Sequence, residues 1–479
     1  MPQRRYFVVL LVLGSLLFFC ALGNHQLQGS TEPRVAGIAM EMHLDQDWVT
    51  PRLNGQPFLE KPPLSLWLDV AAIRLFGPTT LAVRLASAFA GLFCVLLLYR
   101  VLRRIGRPAT LALLASLMLM TLASFWANAR QVGEDALLAF GVTLALLSFL
   151  QAWLKPPGPT AHWLAFTVGI AIATLSKGVL GLALPGVVIF ACLLWDSLTQ
   201  RRLEISAWLR PLLWTLPGLL PLLVWLLFLY QAGGTAALQE ILWTNSVGRF
   251  SGTFSEAGHF EPFYYYLARL PQAFLPWNFL LYLGLWHLRK RLLRDRYLLF
   301  FCLWLAAQFA LLSLASSKRM VYLMALAPAA AVIAAEYAYV FLPRWHARAS
   351  QRIRGAAVCL ALLIPACYLG YAICFEPRAD QQESFLPLTE AIRQQQMAGR
   401  QVALFQPSER LAGASVFYSR SLLPALQTRE ELAAFLRQPN GPIALLESTT
   451  VPEAPLSVLQ HFRVGERDYY FVGEQLPRD

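Results

Sequence analysis

Charged side chains are scarce in this chain of 479 residues: they make up 14% of the total, while 57% of the residues are hydrophobic. Soluble domains carry about 25% charged residues, so this scarcity excludes an ordinary soluble enzyme and indicates a polytopic membrane protein. Asp and Glu are fewer than Lys and Arg, 28 against 40, which leaves a net charge of +12. Because a basic balance is also typical of nucleic-acid-binding proteins, the positions of the basic residues must decide between the two explanations.

Cysteine chemistry is also missing from the sequence. None of the seven cysteines forms a Cys-x-x-Cys pair or stands at a metal-ligand spacing, and all lie in or beside apolar runs. We interpret them as small apolar side chains, so no disulfide framework and no cysteine-bound metal is predicted.

What the sequence does contain is long apolar runs. A spanning helix needs about 20 apolar residues, with a range of about 17 to 25. Eleven candidate spans follow: 6–23, 80–99, 109–127, 136–154, 161–176, 179–196, 212–230, 274–288, 297–315, 321–342 and 355–375. The pair 161–176 and 179–196 is separated by three residues only.

The basic residues then give the orientation. With eleven spans, the clusters around Arg4, Arg103, Arg201, Arg291 and Arg352 all fall on one side of the membrane. The positive-inside rule places that side, with the N-terminus, in the cytoplasm. The basic excess is therefore explained by topology, and no nucleic-acid partner is predicted. An alternative for residues 1–23 is a signal peptide, although no A-x-A cleavage site follows them.

Three large segments lie on the other, periplasmic side. Residues 24–79 contain amphipathic stretches typical of helices in the membrane interface, and residues 231–273 are rich in aromatic residues. Residues 376–479 alternate between helical and strand patterns without a glycine-rich phosphate loop, which predicts a small α/β domain. The predicted fold is thus an all-α polytopic membrane domain, residues 1–375, followed by a small extracytoplasmic α/β domain, residues 376–479.

Charged residues concentrate in these outer segments. In "GQPFLEKPPLSLW", Glu60 and Lys61 stand directly before two prolines at the start of an apolar segment. Lysine is a usual phosphate binder, and at a lipid headgroup the natural anion is phosphate. The same side collects further ionisable residues: Glu32, Arg34, Arg52, Arg130, Glu134, Asp135, Lys177, His259, Lys318 and Arg319. Each taken singly could instead be a helix cap, a solvated loop charge or a snorkelling side chain. Together they predict a site that binds a lipid phosphate and acts on the attached group.

The stretch "TEPRVAGIAMEM…DWVTPRLNGQPFLEKPPLSLW" resembles the signature of the bacterial integral-membrane glycosyltransferases related to the lipid A 4-amino-4-deoxy-L-arabinose transferase and the protein O-mannosyltransferases. Weaker resemblance continues through "SKGVLGLALP" and "SSKRMVYLMALAPA" to about residue 345. The resemblance implies a membrane fold of the GT-C type in the bacterial inner membrane. It also implies an undecaprenyl-phosphate-linked sugar as donor, no nucleotide cofactor, and an envelope acceptor such as lipid A.

The resemblance also implies roles for individual residues. Lys61 would engage the donor phosphate, and Asp135 matches the aspartate that opens the fourth helix. In the mechanism we expect, a catalytic carboxylate, Glu32 or Asp135, positions or deprotonates the acceptor of an inverting displacement. Glu60 and His259 match positions of a divalent metal site. Lys177 and Lys318 match further basic positions of the family. The residues that we predict to bind substrate are Arg34, Arg52, Arg130, Lys177, Lys318, Arg319 and Tyr322.

One departure from the family pattern concerns Thr31, where the family often has an aspartate. A threonine cannot act as a carboxylate base at neutral pH. Either Glu32 takes that role, or the acceptor is activated differently.

Three alternatives remain open at the level of sequence. The same chemistry could serve a protein or an envelope polysaccharide as acceptor. A transporter of lipid-linked substrates would place its charges near the midplane and repeat one half in the other, and neither pattern is evident. A non-catalytic scaffold would leave the Glu-Lys-Pro-Pro segment unexplained.

Overall fold

The computed structural model describes residues 2–156, 158–252, 260–292, 294–348, 351–453 and 456–474. The chain divides into two compact units. The first contains Met1–Cys20, Leu59–Ser65 and Ala86–Leu369, and the second contains Ala21–Phe58, Leu66–Leu85 and Gly370–Asp479. The sequence predicted one division near residue 375, whereas here two N-terminal segments group with the C-terminal segment.

Helices dominate the architecture. In chain order they are α1 (Pro2–Phe19), α2 (Thr31–Asp45), α3 (Leu64–Phe76), α4 (Thr80–Arg104), α5 (Ala109–Met120), α6 (Ala123–Asn128), α7 (Asp135–Leu154), α8 (Thr160–Gln200), α9 (Ile205–Gln239), α10 (Arg249–Ser251), α11 (Tyr265–Ala273), α12 (Asn278–His287), α13 (Arg289–Leu292), α14 (Arg296–Leu314), α15 (Ala327–Arg348), α16 (Gln351–Cys374), α17 (Glu376–Glu383), α18 (Leu386–Met397), α19 (Glu409–Ser419) and α20 (Arg429–Leu436). A π-helix, Glu240–Gly248, continues α9, and a 3-10 helix, Met320–Leu326, precedes α15.

Six helices within the described ranges are long and apolar enough to cross a membrane: Thr80–Arg104, Asp135–Leu154, Thr160–Gln200, Ile205–Gly248, Arg296–Leu314 and Met320–Phe341. The prediction of a mostly helical membrane fold is confirmed by these segments. The predicted number of eleven spans is not reached by this measure. The two predicted spans at 161–176 and 179–196 correspond to the two halves of α8, which this measure counts once.

Helix α8 reverses its direction at Lys177 and Gly178. Both residues have non-helical backbone angles, and Gly178 has φ +52° and ψ −125°. A Cβ placed on Gly181 would lie 2.0 Å from the carbonyl oxygen of Ala173. In an unbroken helix, residues eight apart are about 12 Å apart along the axis, so the two halves of α8 must fold back on each other. A charged residue therefore stands at the turn between two apolar helices.

Glycine allows α7 to pack closely on α8. A Cβ on Gly141 of α7 would lie 2.6 Å from the backbone nitrogen of Ala173, and a Cβ on Gly169 of α8 would lie 2.5 Å from that of Ala145. Small residues of this kind let helix backbones approach closely. In a membrane this close packing matters, because the hydrophobic effect does little to drive helices together in lipid. The packing holds the N-terminus of α7 beside the turn of α8.

The second unit contains a five-stranded mixed sheet. Its strands are β3 (Val402–Phe405), β4 (Ala425–Leu426), β5 (Ile443–Glu447), β6 (Leu456–Val464) and β7 (Arg467–Glu474), after a short hairpin of β1 (Arg52–Leu53) and β2 (Gln56–Pro57). The order is β4-β3-β5-β7-β6, with β3 parallel to β4 and β5, and β7 antiparallel to β5 and β6. Leu404, Leu445 and Phe471 are buried in one core cluster beside the sheet.

Helix α2 packs against α19 within this second unit. A Cβ on Gly37 would lie 2.4 Å from the Cα of Gly413, so the two backbones are nearly in contact. Neither position has room for a side chain. Residues 31–45, which carry part of the family-like signature, are thereby joined to the helices of the sheet-containing unit.

Candidate functional site

Two lysines and two carboxylates meet where α7 begins and α8 turns. Oε1 of Glu134 lies 2.6 Å from Nζ of Lys61 and 3.3 Å from Nζ of Lys177. Nζ of Lys177 also contacts Oδ1 of Asp135. We call Lys61, Glu134, Asp135 and Lys177 the lysine–carboxylate cluster. Its members come from three separate parts of the first unit.

Local structure explains why these side chains converge. Glu134 and Asp135 are the N-cap and first residue of α7, where a carboxylate is favoured by the helix dipole. Lys177 is presented by the turn of α8, and only glycine adopts the backbone of the following Gly178 at low cost. Pro62, next to Lys61, approaches this turn: its Cγ lies 3.7 Å from where a Cβ on Gly178 would be. Pro62 therefore packs against the turn that presents Lys177.

Burial makes the charges of this cluster interdependent. Glu134 is 3% exposed and Lys177 is 8% exposed. Burial alone would raise the pKa of Glu134, but the charges of Lys61 and Lys177 outweigh it and hold that pKa well below its usual range. Breaking such a pair by removing one partner is costly, because an uncompensated charge is left behind. Glu134 is therefore ionised and keeps both ammonium groups in place.

The groups of the cluster differ in how far solvent or a ligand can reach them. The Lys61 and Asp135 side chains are 18% and 16% exposed, against 6% for Lys177 and 4% for Glu134. Lys177 also lies with Nζ 4.3 Å from the ring centroid of Tyr322, a cation–π distance. The predicted residues Lys61, Asp135, Lys177 and Tyr322 are thus brought together, with Lys61 and Asp135 as the accessible members.

Glu60 lies at the edge of the cluster, with Oε2 3.8 Å from Nζ of Lys61. Its predicted metal partner, His259, lies outside the described residues. Across the part of the chain that the structure describes, no group of three His, Cys, Asp or Glu side chains is arranged to hold a metal ion. The described residues therefore do not form a metal site, and the divalent metal remains a prediction.

Lys318 and Arg319 precede the 3-10 helix of the same unit. Nζ of Lys318 donates to the carbonyl oxygens of Glu261 and Ala315, at 2.9 and 2.5 Å. A cavity of about 470 Å³ lies beside Lys318 and is lined also by Phe260, Glu261 and Ser316. The backbone N–H of Arg319 donates to the hydroxyl of Tyr266. This arrangement leaves Lys318 at a cavity wall, where it is held by neutral partners.

Arg130 has a different environment from the one predicted for a substrate-binding residue. Its guanidinium is 2% exposed and donates to the carbonyl oxygens of Leu17, Phe18 and Cys20. These are carbonyls at the C-terminal end of α1, which lack helical partners and are satisfied by such donors. The geometry favours a structural role for Arg130.

Three predicted site residues belong to the second unit. Glu32 makes a two-point ion pair with Arg84: Oε1 accepts from Nε at 2.9 Å and Oε2 from Nη2 at 2.7 Å. Arg34 pairs with Glu409 at 2.6 Å. The Arg52 guanidinium lies 3.9 Å from the carboxylate of Asp47. Because the Arg84 side chain is completely buried and Glu32 is 5% exposed, the geometry favours a structural rather than a basic role for Glu32.

Sequence reasoning missed the importance of Arg84 and Glu41. Arg84 also donates to the carbonyls of Leu22, His25 and Gln26, so it fastens the segment after α1. Glu41 accepts from the backbone N–H groups of Asn54 and Gly55, at 2.6 and 2.7 Å. A signal for Arg84 was present, since an arginine inside the apolar run 80–99 requires a partner.

Comparisons with known proteins support the family resemblance. Residues 31–233 match the family described as dolichyl-phosphate-mannose-protein mannosyltransferase. An undecaprenyl phosphate-alpha-4-amino-4-deoxy-L-arabinose arabinosyl transferase of Pseudomonas aeruginosa is 32% identical over 333 residues, which are 68% of this chain and 58% of that protein. A second such transferase, of Proteus mirabilis, is 27% identical over 69% of this chain and 59% of its own length. The chain therefore spans less than two thirds of the length of these relatives.

Solved structures show the fold. ArnT from Cupriavidus metallidurans bound to undecaprenyl phosphate superposes with a TM-score of 0.75 at 20% identity, over 97% of both chains. The archaeal oligosaccharyltransferase AglB from Archaeoglobus fulgidus gives a TM-score of 0.54 at 13% identity, over 93% of this chain and 69% of that one. At these identities the likeness concerns the fold alone.

Proposed function

Since the chain is a relative of the bacterial aminoarabinose transferases and the protein mannosyltransferases and has a GT-C-type membrane fold, we propose that it is a glycosyltransferase that uses a polyprenyl-phosphate sugar. Its donor would be an undecaprenyl-phosphate sugar and its acceptor an envelope molecule such as lipid A. The observation that carries the proposal is the lysine–carboxylate cluster, in which two lysines stand at one end of the membrane helices.

The donor phosphate would bind at Lys61, whose ammonium group is the more exposed of the two. In the reaction, the bond between the anomeric carbon and the phosphate oxygen breaks, and the electron pair stays with the phosphate. The leaving phosphate gains negative charge, so nearby fixed cations stabilise the transition state more than the ground state. Glu134 would orient both ammonium groups.

Asp135 is the carboxylate of this cluster that a substrate can reach, with 16% of its side chain exposed. We propose that it accepts the proton of the acceptor hydroxyl while that oxygen attacks the anomeric carbon from the side opposite the phosphate. The configuration of the sugar would be inverted. Glu32, in its buried pair with Arg84, would support the fold of the second unit and not act as base.

We propose Glu60 and His259 as the residues that would hold a divalent metal ion. The steps described above do not involve this metal ion. In the structure, the charged neighbour of Glu60 is Lys61. A chelator added to the purified enzyme would test the requirement.

We further propose a topology for the bacterial inner membrane. Eleven spans would leave the N-terminus in the cytoplasm and residues 376–479 in the periplasm as a small α/β domain. The basic segments support this orientation through the positive-inside rule. Labelling of single cysteines at Arg201 and Arg429 with an impermeant reagent in intact cells would test it, since only position 429 should react.

The decisive experiment for the function is mass spectrometry of envelope lipids from cells with the gene, without it, and with Lys61→Ala. The proposal predicts that a sugar-sized mass is lost from lipid A while the undecaprenyl-phosphate sugar accumulates, in both the deletion and the variant. If the donor accumulates while lipid A is unchanged, the protein is still a glycosyltransferase, but its acceptor is a protein or a polysaccharide. No change in either pool would contradict the proposal and favour a transporter of lipid-linked substrates.

A further inference from the structure

A second cavity, of about 220 Å³, lies in the first unit and contains none of the residues of the proposed reaction. Three tryptophans line it, Trp153 at the end of α7, Trp163 in α8 and Trp208 in α9. Its basic lining residues are Arg202, Arg210 and Arg296. We call this cavity the tryptophan–arginine cleft.

The cleft lies at the opposite end of α7 and α8 from the lysine–carboxylate cluster. Asp135 is the first residue of α7, and Trp153 is 18 residues further, a rise of about 27 Å at 1.5 Å per residue. Because α8 turns back at Lys177, its two ends come together, and Trp163 and Asp196 line the same cleft. The two sites are thus separated by about the thickness of a bilayer core.

The floor of the cleft is built from ordered polar contacts. The carboxylate of Asp196 accepts from Nε1 of Trp153 at 2.7 Å and from Nη2 of Arg296 at 2.6 Å. The Arg296 guanidinium also lies over the Trp153 ring, 4.2 Å from its centroid. Even so, 42% of the Arg296 side chain is exposed, so its remaining donors can reach a ligand. A single acid therefore fixes one arginine and one tryptophan in the cleft.

The charge of the cleft favours an anion. Arg202 and Arg210 are exposed and form no ion pair with any residue that the structure describes. Against the three arginines stand two acids, Asp196, which is already paired, and Glu204. The excess positive charge sits at the end of the helices that carries the basic loops, which the positive-inside rule assigns to the cytoplasm.

The surroundings of the cleft indicate a lipid rather than a free anion. Leu198, Leu203, Ile205 and Leu209 follow the same segment and are 68%, 63%, 62% and 48% exposed. Exposed aliphatic side chains of this kind are suited to acyl chains. Tryptophans prefer the headgroup level of a bilayer, and basic pockets between membrane helices on the cytoplasmic side suit acidic headgroups. A soluble anion would use the arginines but gain nothing from the apolar surface.

We propose that the tryptophan–arginine cleft binds the phosphate headgroup of an anionic phospholipid from the leaflet on the basic side of the membrane. The phosphate would be held by Arg202, Arg210 and the free donors of Arg296, with the tryptophans against the glycerol and upper acyl region. This inference does not depend on the proposed transferase activity, since the two sites share no residue.

Native mass spectrometry of the purified full chain tests the inference, with phosphatidylglycerol and phosphatidylcholine of matched acyl chains as probes. The test variant is Arg202→Gln/Arg210→Gln. The matched control is Arg201→Gln/Arg289→Gln, which removes two exposed charges from the same basic loops but none from the cleft. A basic residue near an anionic headgroup contributes roughly fivefold to binding, so the test variant, which lacks two, should bind phosphatidylglycerol about 25-fold more weakly. The control variant should bind it like the wild type.

Three results would overturn the inference. One is equal binding of the two lipids by the wild type. Another is an equal loss in the test and control variants, which would mean attraction by general charge. The third result comes from a thermal-stability measurement on wild-type protein kept in phosphatidylcholine. If added inorganic phosphate stabilises this protein against heat as much as phosphatidylglycerol does, the cleft binds a free anion and not a lipid.

Discussion

Lys61 and Lys177 share one carboxylate oxygen: Oε1 of Glu134 lies 2.6 Å from the first ammonium nitrogen and 3.3 Å from the second. Without this anion, the two neighbouring cations would repel each other, and the buried Lys177 would have little solvent to screen its charge. Glu134 therefore sets the distance between the lysines before any ligand arrives. A phosphate entering the site meets cations that are already oriented, so little reorganisation is needed during the reaction.

Glu134→Gln tests this role. Removing one partner of a buried ion pair costs about 3–5 kcal/mol, so the melting temperature of the variant should fall clearly below that of the wild type. Because the pKa of Glu134 is held low in the folded protein, its contribution is fully present above the unfolded carboxylate pKa of about 4.3 and is lost as pH falls further. The difference in melting temperature should be constant between pH 6 and 8 and should shrink below about pH 4.

A suitable control for this comparison is Glu390→Gln, on the exposed side of α18. It should leave the melting temperature within the error of the measurement at every pH. A Glu134→Gln protein as stable as the wild type at pH 7 would contradict the role given to the shared carboxylate.

Gly178→Ala should misplace Lys177. The combination of φ +52° and ψ −125° is nearly restricted to glycine, so an alanine there costs about 1–3 kcal/mol, and the strain falls on the turn that presents the lysine. We expect a modest loss of thermal stability and a larger loss of transfer activity. Gly186→Ala is the matched control, since this glycine in the same helix has nothing within 4 Å of an added Cβ and has no positive φ. If the two variants behave alike, the turn at Gly178 does not position Lys177.

Glu32→Gln separates a structural from a catalytic role for this residue. Because it breaks the buried pair with Arg84, this change should lower thermal stability, and Arg84→Gln should lower it further, since Arg84 also donates to three backbone carbonyls. Glu409→Gln, which removes the half-exposed partner of Arg34, should cost less than about 1 kcal/mol. A Glu32→Gln protein that melts like the wild type but has lost its turnover would instead identify Glu32 as the base.

Asp135→Asn should affect turnover more than donor binding. If Asp135 takes the acceptor proton, the variant should lose about 10²- to 10⁴-fold in kcat while its affinity for the donor changes by a small factor. Steady-state kinetics with separate variation of donor and acceptor would show the split, with Asp45→Asn as an exposed control. An unchanged kcat with a raised KM for the donor would make Asp135 a binding residue.

Lys61 and Lys177 show how much of the site could be predicted from the sequence. Each stands out in the sequence as a charge beside apolar segments on one side of the membrane, and the structure brings both to one carboxylate. Glu134 was recognised as an outer-side acid, but its bridging position depends on how α7 packs on α8. Such a contact between distant segments has no local signature.

Arg84 shows that the position of a charged residue in the sequence does not identify its partner. The sequence marks it as an arginine inside an apolar run, yet its partner Glu32 stands 52 residues earlier. Because the pairing depends on tertiary packing, Glu32 was predicted as a base from resemblance alone. The break between the predicted spans 161–176 and 179–196 was, by contrast, visible in the sequence, and the structure places the turn of α8 there, at Lys177 and Gly178.

The most direct test of the central claim is the binding of undecaprenyl phosphate to purified protein, measured for the wild type, Lys61→Ala and Lys155→Ala. Lys155 is an exposed lysine just after the other end of α7 and serves as control. The account predicts that Lys61→Ala weakens binding at least tenfold, as expected for loss of a charged phosphate contact of about 1.5–3 kcal/mol, while Lys155→Ala binds normally. Equal affinity in all three proteins would contradict the assignment of the lysine–carboxylate cluster as the donor phosphate site.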